Sequence, residues 1–235
     1  MPLTDEEKKR LTDGLRAAFA IPFIDDIEDY IWEAIFAYAR NLPLPDPLVS
    51  IRSKRLFDVI DAPKKVGWSC KALQWAVAPG CQFELVIQRA DIFKKARLLG
   101  YKSLNLNSPT NQLGEALLRH WYEKVNKDSK VQGVEERRVA FLLKTRNRKR
   151  FAYYEGALRG FSPNQLRWEW TNSTKTGLQG KTKDGFCVYR WYPNQKQFFE
   201  RFMLPKDTPL SEIKPERLPV REVVELILSR LPNRS

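Results

Sequence analysis

Three prolines within five residues, Pro43, Pro45 and Pro47, constrain this chain more than any other feature. Proline fixes φ, lacks a backbone donor and disfavours helix in the residue before it, so no helix crosses this stretch. The chain is cut into a short helical start and a long remainder of different rhythm. Before the cut, Leu11, Leu15 and Ala18 recur at helical spacing behind Thr4, an N-cap followed by acids. This predicts a helix over 4–20. Asp25 or Asp26 is placed to cap a second helix over 26–40. There Ile27, Tyr30, Ile31, Ala34, Ile35 and Tyr38 make one apolar face. Trp32 and Phe36 lie off it, so this helix is expected to be buried on more than one side.

After the cut, strand-like segments appear. Lys54–Ile60 and Val66–Gln74 read as strands joined by a turn at 61–65, and Gln82–Ala90 follows Pro79-Gly80 as a third. Asp91–Leu99 is expected as a short helix. Ser108-Pro109 opens a longer one to about Val125, with Leu113, Leu117 and Trp121 on one face. The remainder reads as β-rich, with strands at 138–144, 151–156, 166–171 and 185–192. Trp168, Trp170, Tyr189, Trp191 and Tyr192 alternate in or near these strands and are expected in the core. A last amphipathic helix follows Leu218-Pro219, with Val220, Val223, Val224, Ile227, Leu228 and Leu231 at helical spacing. No repeat or linker divides the chain. One domain over 1–235 is expected, with the N-terminal helices and catalytic core in 1–130 and a basic, β-rich part in 131–235.

Charge points to the partner. The chain has 41 Lys and Arg against 28 Asp and Glu, a net +13. A surplus of that size repels itself, which suggests a polyanionic partner such as nucleic acid or, less often, an anionic membrane. Twelve Lys and Arg between Arg137 and Lys183 face two acids, Glu155 and Glu169, placing +10 in that stretch. Lys144–Arg150 reads as a basic hairpin tip, and Trp170–Lys183 as a polar, glycine-bearing loop rich in donors. Lys144, Arg146, Arg148, Asn172, Lys175, Gln179, Lys181 and Lys183 are therefore candidate DNA contacts.

Other classes are excluded. Hydrophobic residues make up 43%, enough for a packed core, so general disorder is ruled out. No apolar run approaches the ~18 residues of a transmembrane helix, and the charged start lacks the apolar stretch of a signal peptide. Cys70, Cys81 and Cys187 are odd in number and scattered. They form neither a disulfide framework nor a zinc pattern, and a reducing cytoplasm is the expected location. The single histidine, His120, leaves a Ser-His-Asp triad or an HNH-type site hard to build. Hydrolytic chemistry in this chain must rest on carboxylates and lysine.

Asp58 lies in the first long strand and Lys71 in the next, and a hairpin brings such positions side by side. Within 66–74, Gly67, Ser69, Lys71 and Leu73 share one face, and Trp68, Cys70 and Ala72 the other. With these residues in place, the segment 28–75 resembles the core of the PD-(D/E)XK restriction-endonuclease-like nucleases, and more narrowly of type II restriction enzymes. In that family a helix supplies a glutamate, a strand an aspartate, and the following strand an acid-x-lysine. The motif maps onto Ile31-Trp32-Glu33, Phe57-Asp58-Val59 and Ser69-Cys70-Lys71. Ser69 stands where an acid is usual, and Glu33 and Glu84 are the candidates to replace it.

The resemblance implies an α/β (α+β) fold, a restriction-endonuclease-like mixed sheet flanked by helices, with an added β-rich C-terminal half. It implies a Mg²⁺-dependent endonuclease that cuts double-stranded DNA at a short specific sequence and leaves 5′-phosphates. Asp58 would be the principal metal ligand, with Glu33 and Glu84 as further metal candidates. Lys71 would orient the attacking water and offset charge on phosphorus. Ser69 would bind a metal-bound water or lend its carbonyl. The chemistry needs these types, because a carboxylate-held Mg²⁺ lowers the pKa of its water and places it against a negatively charged phosphodiester. A palindromic site would imply a two-fold homodimer, and a restriction system a cognate DNA methyltransferase. Two alternatives stand beside this: a non-catalytic DNA- or RNA-binding protein in which Asp58 and Lys71 form a structural ion pair, and a repair or structure-specific nuclease of the same fold.

Overall fold

The computed structural model describes residues 3–43, 55–74, 80–146, 150–206, 208, 210–214 and 216–231. In chain order these form α1 (Asp5–Ala20), α2 (Asp29–Ala39), β1 (Val59–Asp61), β2 (Val66–Gln74), β3 (Gln82–Arg89), α3 (Thr110–Gln132), β4 (Glu136–Lys144), β5 (Arg150–Ala157), β6 (Arg167–Trp170), β7 (Leu178–Lys181), β8 (Cys187–Tyr192), β9 (Gln197–Met203), β10 (Leu210–Glu212) and α4 (Val220–Arg230). The strands make two sheets, so the class is mixed α+β. The chain divides into two units that alternate along the sequence. The first comprises Met1–Val77, Gln132–Ala157 and Asp207–Ser235; the second comprises Ala78–Val131 and Leu158–Lys206. The sequence is expected to change character near residue 130 within one domain; both units draw on residues from each side of that point.

The first unit holds the sheet β1-β2-β4-β5-β10. β2 and β4 run parallel, from Val66 opposite Glu136 to Gln74 opposite Lys144, and the other pairs are antiparallel. α1 starts as its sequence demands: Thr4 Oγ1 accepts from Glu7 N (3.2 Å) and Glu7 Oε2 accepts from Thr4 N (2.7 Å). This reciprocal cap satisfies two orphan donors of the first turn. One face of the sheet and the two helices share a core that includes Leu15, Phe19, Trp32, Phe36, Trp68, Cys70, Ala140, Leu142 and Phe151.

α2 departs from its expected orientation. Trp32 and Phe36 are fully buried, whereas Tyr30 and Tyr38 are about half exposed. The indole decides the rotation, since Trp32 Nε1 donates to Ala140 O in the sheet (3.0 Å). Asp26 does not cap this helix. Its carboxylate accepts from Ile27 N (2.8 Å) and from Lys144 Nζ (2.8 Å), and the helix begins three residues later.

β1 is much shorter than the expected Lys54–Ile60, of which Lys54 lies outside the described residues. A side chain takes the place of a strand partner at Phe57. Gln132 Oε1 accepts from Phe57 N (3.3 Å) and Gln132 Nε2 donates to Phe57 O (2.8 Å). α4 forms where expected but buries only Val223 among its residues; Val224, Ile227, Leu228 and the following Leu231 are exposed.

The second unit holds the antiparallel sheet β3-β9-β8-β7-β6. α3 packs on it so closely that a Cβ at Gly114 would meet the Trp168 ring at 2.3 Å. The helix runs beyond Val125 and ends before Gly133, whose φ of 67° suits a residue without Cβ. Trp168, Tyr189 and Trp191 are buried as expected, and Tyr189 stacks on Phe198 with centroids 5.1 Å apart. The expected helix Asp91–Leu99 is a run of turns. β7, β9 and β10 were not expected as strands.

Candidate active site at an unpaired strand edge

β1 pairs with β2 only from Val66 to Trp68. Beyond that point one edge of β2 is bonded to β4 and the other has no strand beside it among the described residues. Backbone donors and acceptors on such an edge need partners. Three side chains supply them. Asp58 Oδ2 accepts from Cys70 N (2.8 Å), Asp29 Oδ1 accepts from Ala72 N (2.8 Å), and Lys71 Nζ donates to Cys70 O (2.6 Å). The same ammonium donates to Asp58 Oδ2 (3.2 Å) and lies 3.7 Å from Asp29 Oδ2.

The local fold explains each position. Asp58 sits just before β1, where its own N–H donates to Trp68 O (2.8 Å) and fixes its register. Asp29 is the first residue of α2, where a carboxylate is favoured by the helix dipole. Glu33 lies one turn further on. Its charge, with those of Asp58, Lys71 and Asp29, is felt by the Cys70 thiol, which burial above all pushes well up. Ser69 is buried and has no hydrogen bond to the cluster.

Two carboxylates around one ammonium leave a local surplus of negative charge. Burial pushes the Asp58 carboxyl up against the pull of Lys71 and the Cys70 N–H, and Asp29 adds to the rise. Burial pulls the Lys71 ammonium down, but Asp58 and Asp29 outweigh it and the net direction is up. The two shifts differ in cause: burial raises Asp58, and the neighbouring carboxylates raise Lys71. Lys71 is thereby kept protonated, which suits a positioned cation and not a general base.

The donor set fits a hard divalent cation that keeps its waters. Mg²⁺ is commonly held by one or two carboxylates plus phosphate oxygens, and Asp58 with Asp29 offers two. Among the described residues no three His, Cys, Asp or Glu side chains gather as a metal-holding group. Asp58 and Lys71, both expected at the site, meet here; Glu33 acts on Cys70 through its charge, and Asp29 was not expected. The signal lay in the spacing Asp29–Glu33, four residues apart on one helix face.

Other candidates stand elsewhere. Glu84 lies on β3 of the second unit, where Arg201 Nε is 3.5 Å and Arg190 Nη1 3.9 Å away. Lys144, expected to contact DNA, is buried: its ammonium donates to Asp26 Oδ1 (2.8 Å) and Ile27 O (2.6 Å), and so neutralises an internal carboxylate. Arg146 is exposed at the following turn, and Arg148 lies outside the described residues. Asn172 shapes its own loop by accepting from Thr176 N (3.1 Å) and Thr174 Oγ1 (3.0 Å). Lys175 reaches Asn107 Oδ1 (2.7 Å), while Gln179 (3.0 Å) and Lys181 (2.5 Å) both donate to Glu169 Oε1. Lys183 is exposed. His120 is half-buried, 3.2 Å from Lys95 Nζ, and burial holds it below its ordinary value.

No protein-family model, curated protein or solved structure matches this chain.

Proposed function

We propose that the protein is a Mg²⁺-dependent endonuclease acting on double-stranded DNA, with its hydrolytic centre at the open edge of β2. The observation that carries this reading is the convergence of Asp58 and Asp29 on Lys71 Nζ, at 3.2 and 3.7 Å. Asp58 and Asp29 would hold the metal, and Glu33 would tune it. When bound, Mg²⁺ supplies a water of lowered pKa and a counter-charge for the phosphodiester. Lys71, kept cationic by its neighbours, would orient an attacking water and offset negative charge on the phosphate. The parallel β2–β4 pair beside an antiparallel β1–β2 hairpin gives a mixed sheet, and α2 lies against it. That arrangement supports the resemblance to PD-(D/E)XK nucleases. The type II restriction reading rests on that resemblance and would entail a short specific site, 5′-phosphate ends, a homodimer where the site is palindromic, and a methyltransferase in the same system.

Plasmid DNA incubated with the protein in Mg²⁺ and in EDTA tests the reading. Discrete metal-dependent fragments are expected. Intact DNA across several substrates, some of them unmethylated, would overturn it. A second reading, a non-catalytic nucleic-acid-binding protein, is favoured by one observation. Asp58 and Asp29 already satisfy backbone N–H groups, a purely structural duty. It expects salt-sensitive binding with no hydrolysis.

A further inference from the structure

The second unit carries eighteen Lys and Arg against eight Asp and Glu, a net +10 of the chain's +13. Within it, the first turn of α3, the loop before β6 and the end of β7 enclose an open cleft of about 980 Å³. Its walls are unusual in chemistry. Four side-chain amides line it, from Asn111, Gln112, Asn164 and Gln165, together with the cations Arg167, Lys181 and Lys183 and one carboxylate, Glu115, which is paired with Arg119 (3.0 Å). Two of the amides are fixed by the fold. Asn111 Oδ1 accepts from Trp168 N (3.3 Å) and Gln165 Oε1 accepts from Ser162 N (2.7 Å), which leaves each NH₂ as the unspent donor. Gln112, Asn164 and Lys183 make no side-chain hydrogen bond within the described residues.

Arg167 and Lys181 are paired with Glu169, so the open amides and the uncommitted Lys183 are the groups that match base edges and phosphates. Asn and Gln pair bidentately with adenine, and Arg and Lys with guanine or the backbone. Among the described residues no aromatic side chain lines the cleft. Single-strand binding leans on aromatic stacking, so the walls favour a duplex read at its edges. We propose that this cleft is a sequence-reading surface for duplex DNA, with Gln112 and Asn164 contacting base edges and Lys183 the backbone. The proposal rests on the nucleic-acid part of the reading above and not on hydrolysis.

The test uses the full chain in EDTA and a pool of randomised duplexes. The wild type is expected to enrich a short shared sequence. A Gln112→Ala, Asn164→Ala double variant, checked for unchanged circular dichroism, should lose about 10-fold or more of its discrimination between enriched and scrambled duplexes. Lys183→Ala should weaken both duplexes alike and lower the salt dependence of binding. A double variant that enriches the same sequence with undiminished discrimination overturns the proposal. So does a wild type that binds duplexes without discrimination, or that prefers single-stranded DNA or RNA. A protein that never cuts still shows the enrichment, so failure of the hydrolase reading is seen separately. Absence of any duplex binding removes the DNA reading itself, and this proposal with it.

Discussion

The two units use charge in opposite ways. The first has twenty-three Lys and Arg against twenty Asp and Glu, close to balance. A few of those charges are turned inward. Glu155, buried, accepts from Arg138 Nε (2.7 Å), Trp68 Nε1 (2.8 Å) and Tyr153 OH (2.7 Å), and pairs with Arg40, which also reaches Glu7. The second unit has the large positive excess and a cleft lined by open amides and cations. One unit gathers two carboxylates around a single ammonium, and the other carries most of the positive excess. Sequence position hid this. The basic stretch from Arg137 to Lys183 spans both units, and its Arg138 and Lys144 are consumed by internal carboxylates.

Substitutions can break or sharpen this contrast. The largest effect is expected at the strand edge. Asp58→Asn keeps an acceptor for Cys70 N but removes the charge, and Lys71→Ala removes the cation. Each should lower cutting by about 10³-fold while DNA binding stays measurable. Unchanged cleavage in either would remove the assignment. Next is Glu155→Ala, which leaves Arg40 and Arg138 without their buried partner. It should destabilise the first unit by about 3–5 kcal/mol in chemical denaturation, and a loss below 1 kcal/mol would mean that its charges are solvated.

In the second unit, Gly114→Ala drives a methyl into the Trp168 ring. A loss of about 1–3 kcal/mol is expected, visible as an earlier change in tryptophan fluorescence on unfolding; wild-type stability would contradict the packing. The smallest effect concerns Glu200, fully buried and bonded to Arg159 Nε at 2.8 Å. Burial outweighs the arginine and raises its carboxyl from 4.5 to about 7. The folded state then holds the proton more tightly than the unfolded one. The stabilisation is present below the unfolded value and is lost as pH rises through the folded one. Stability should fall by about 1–2 kcal/mol between pH 5 and 8, and Glu200→Gln should flatten that slope. A slope of opposite sign would show that Arg159 dominates.

Legibility in the sequence followed the range of the interactions. α1 was readable from Thr4 and its apolar spacing because a cap is local. β2 was readable from end to end, since its length, its β-branched and aromatic content and its flanking turn all lie within a few residues. β1 was overextended because Gln132, far along the chain, bonds Phe57 in place of a strand. β9 was missed although Phe198 and Phe202 alternate; Glu200 between them also points inward and disguises the pattern. At the site, hairpin spacing was enough to join Asp58 to Lys71. Asp29 needed the knowledge that Asp26 turns to Lys144, which delays the helix and sets Asp29 at its start.

The most direct test of the strand-edge centre is a Mg²⁺ titration of duplex cleavage by wild type and Asp29→Asn. The amide keeps an oxygen for Ala72 N, so the fold is preserved while one charge is lost. The account expects cleavage that requires the metal, with the half-maximal Mg²⁺ concentration shifted upward by about 10-fold or more in the variant. Cleavage that proceeds in EDTA, or superimposable metal curves for the two proteins, would contradict it.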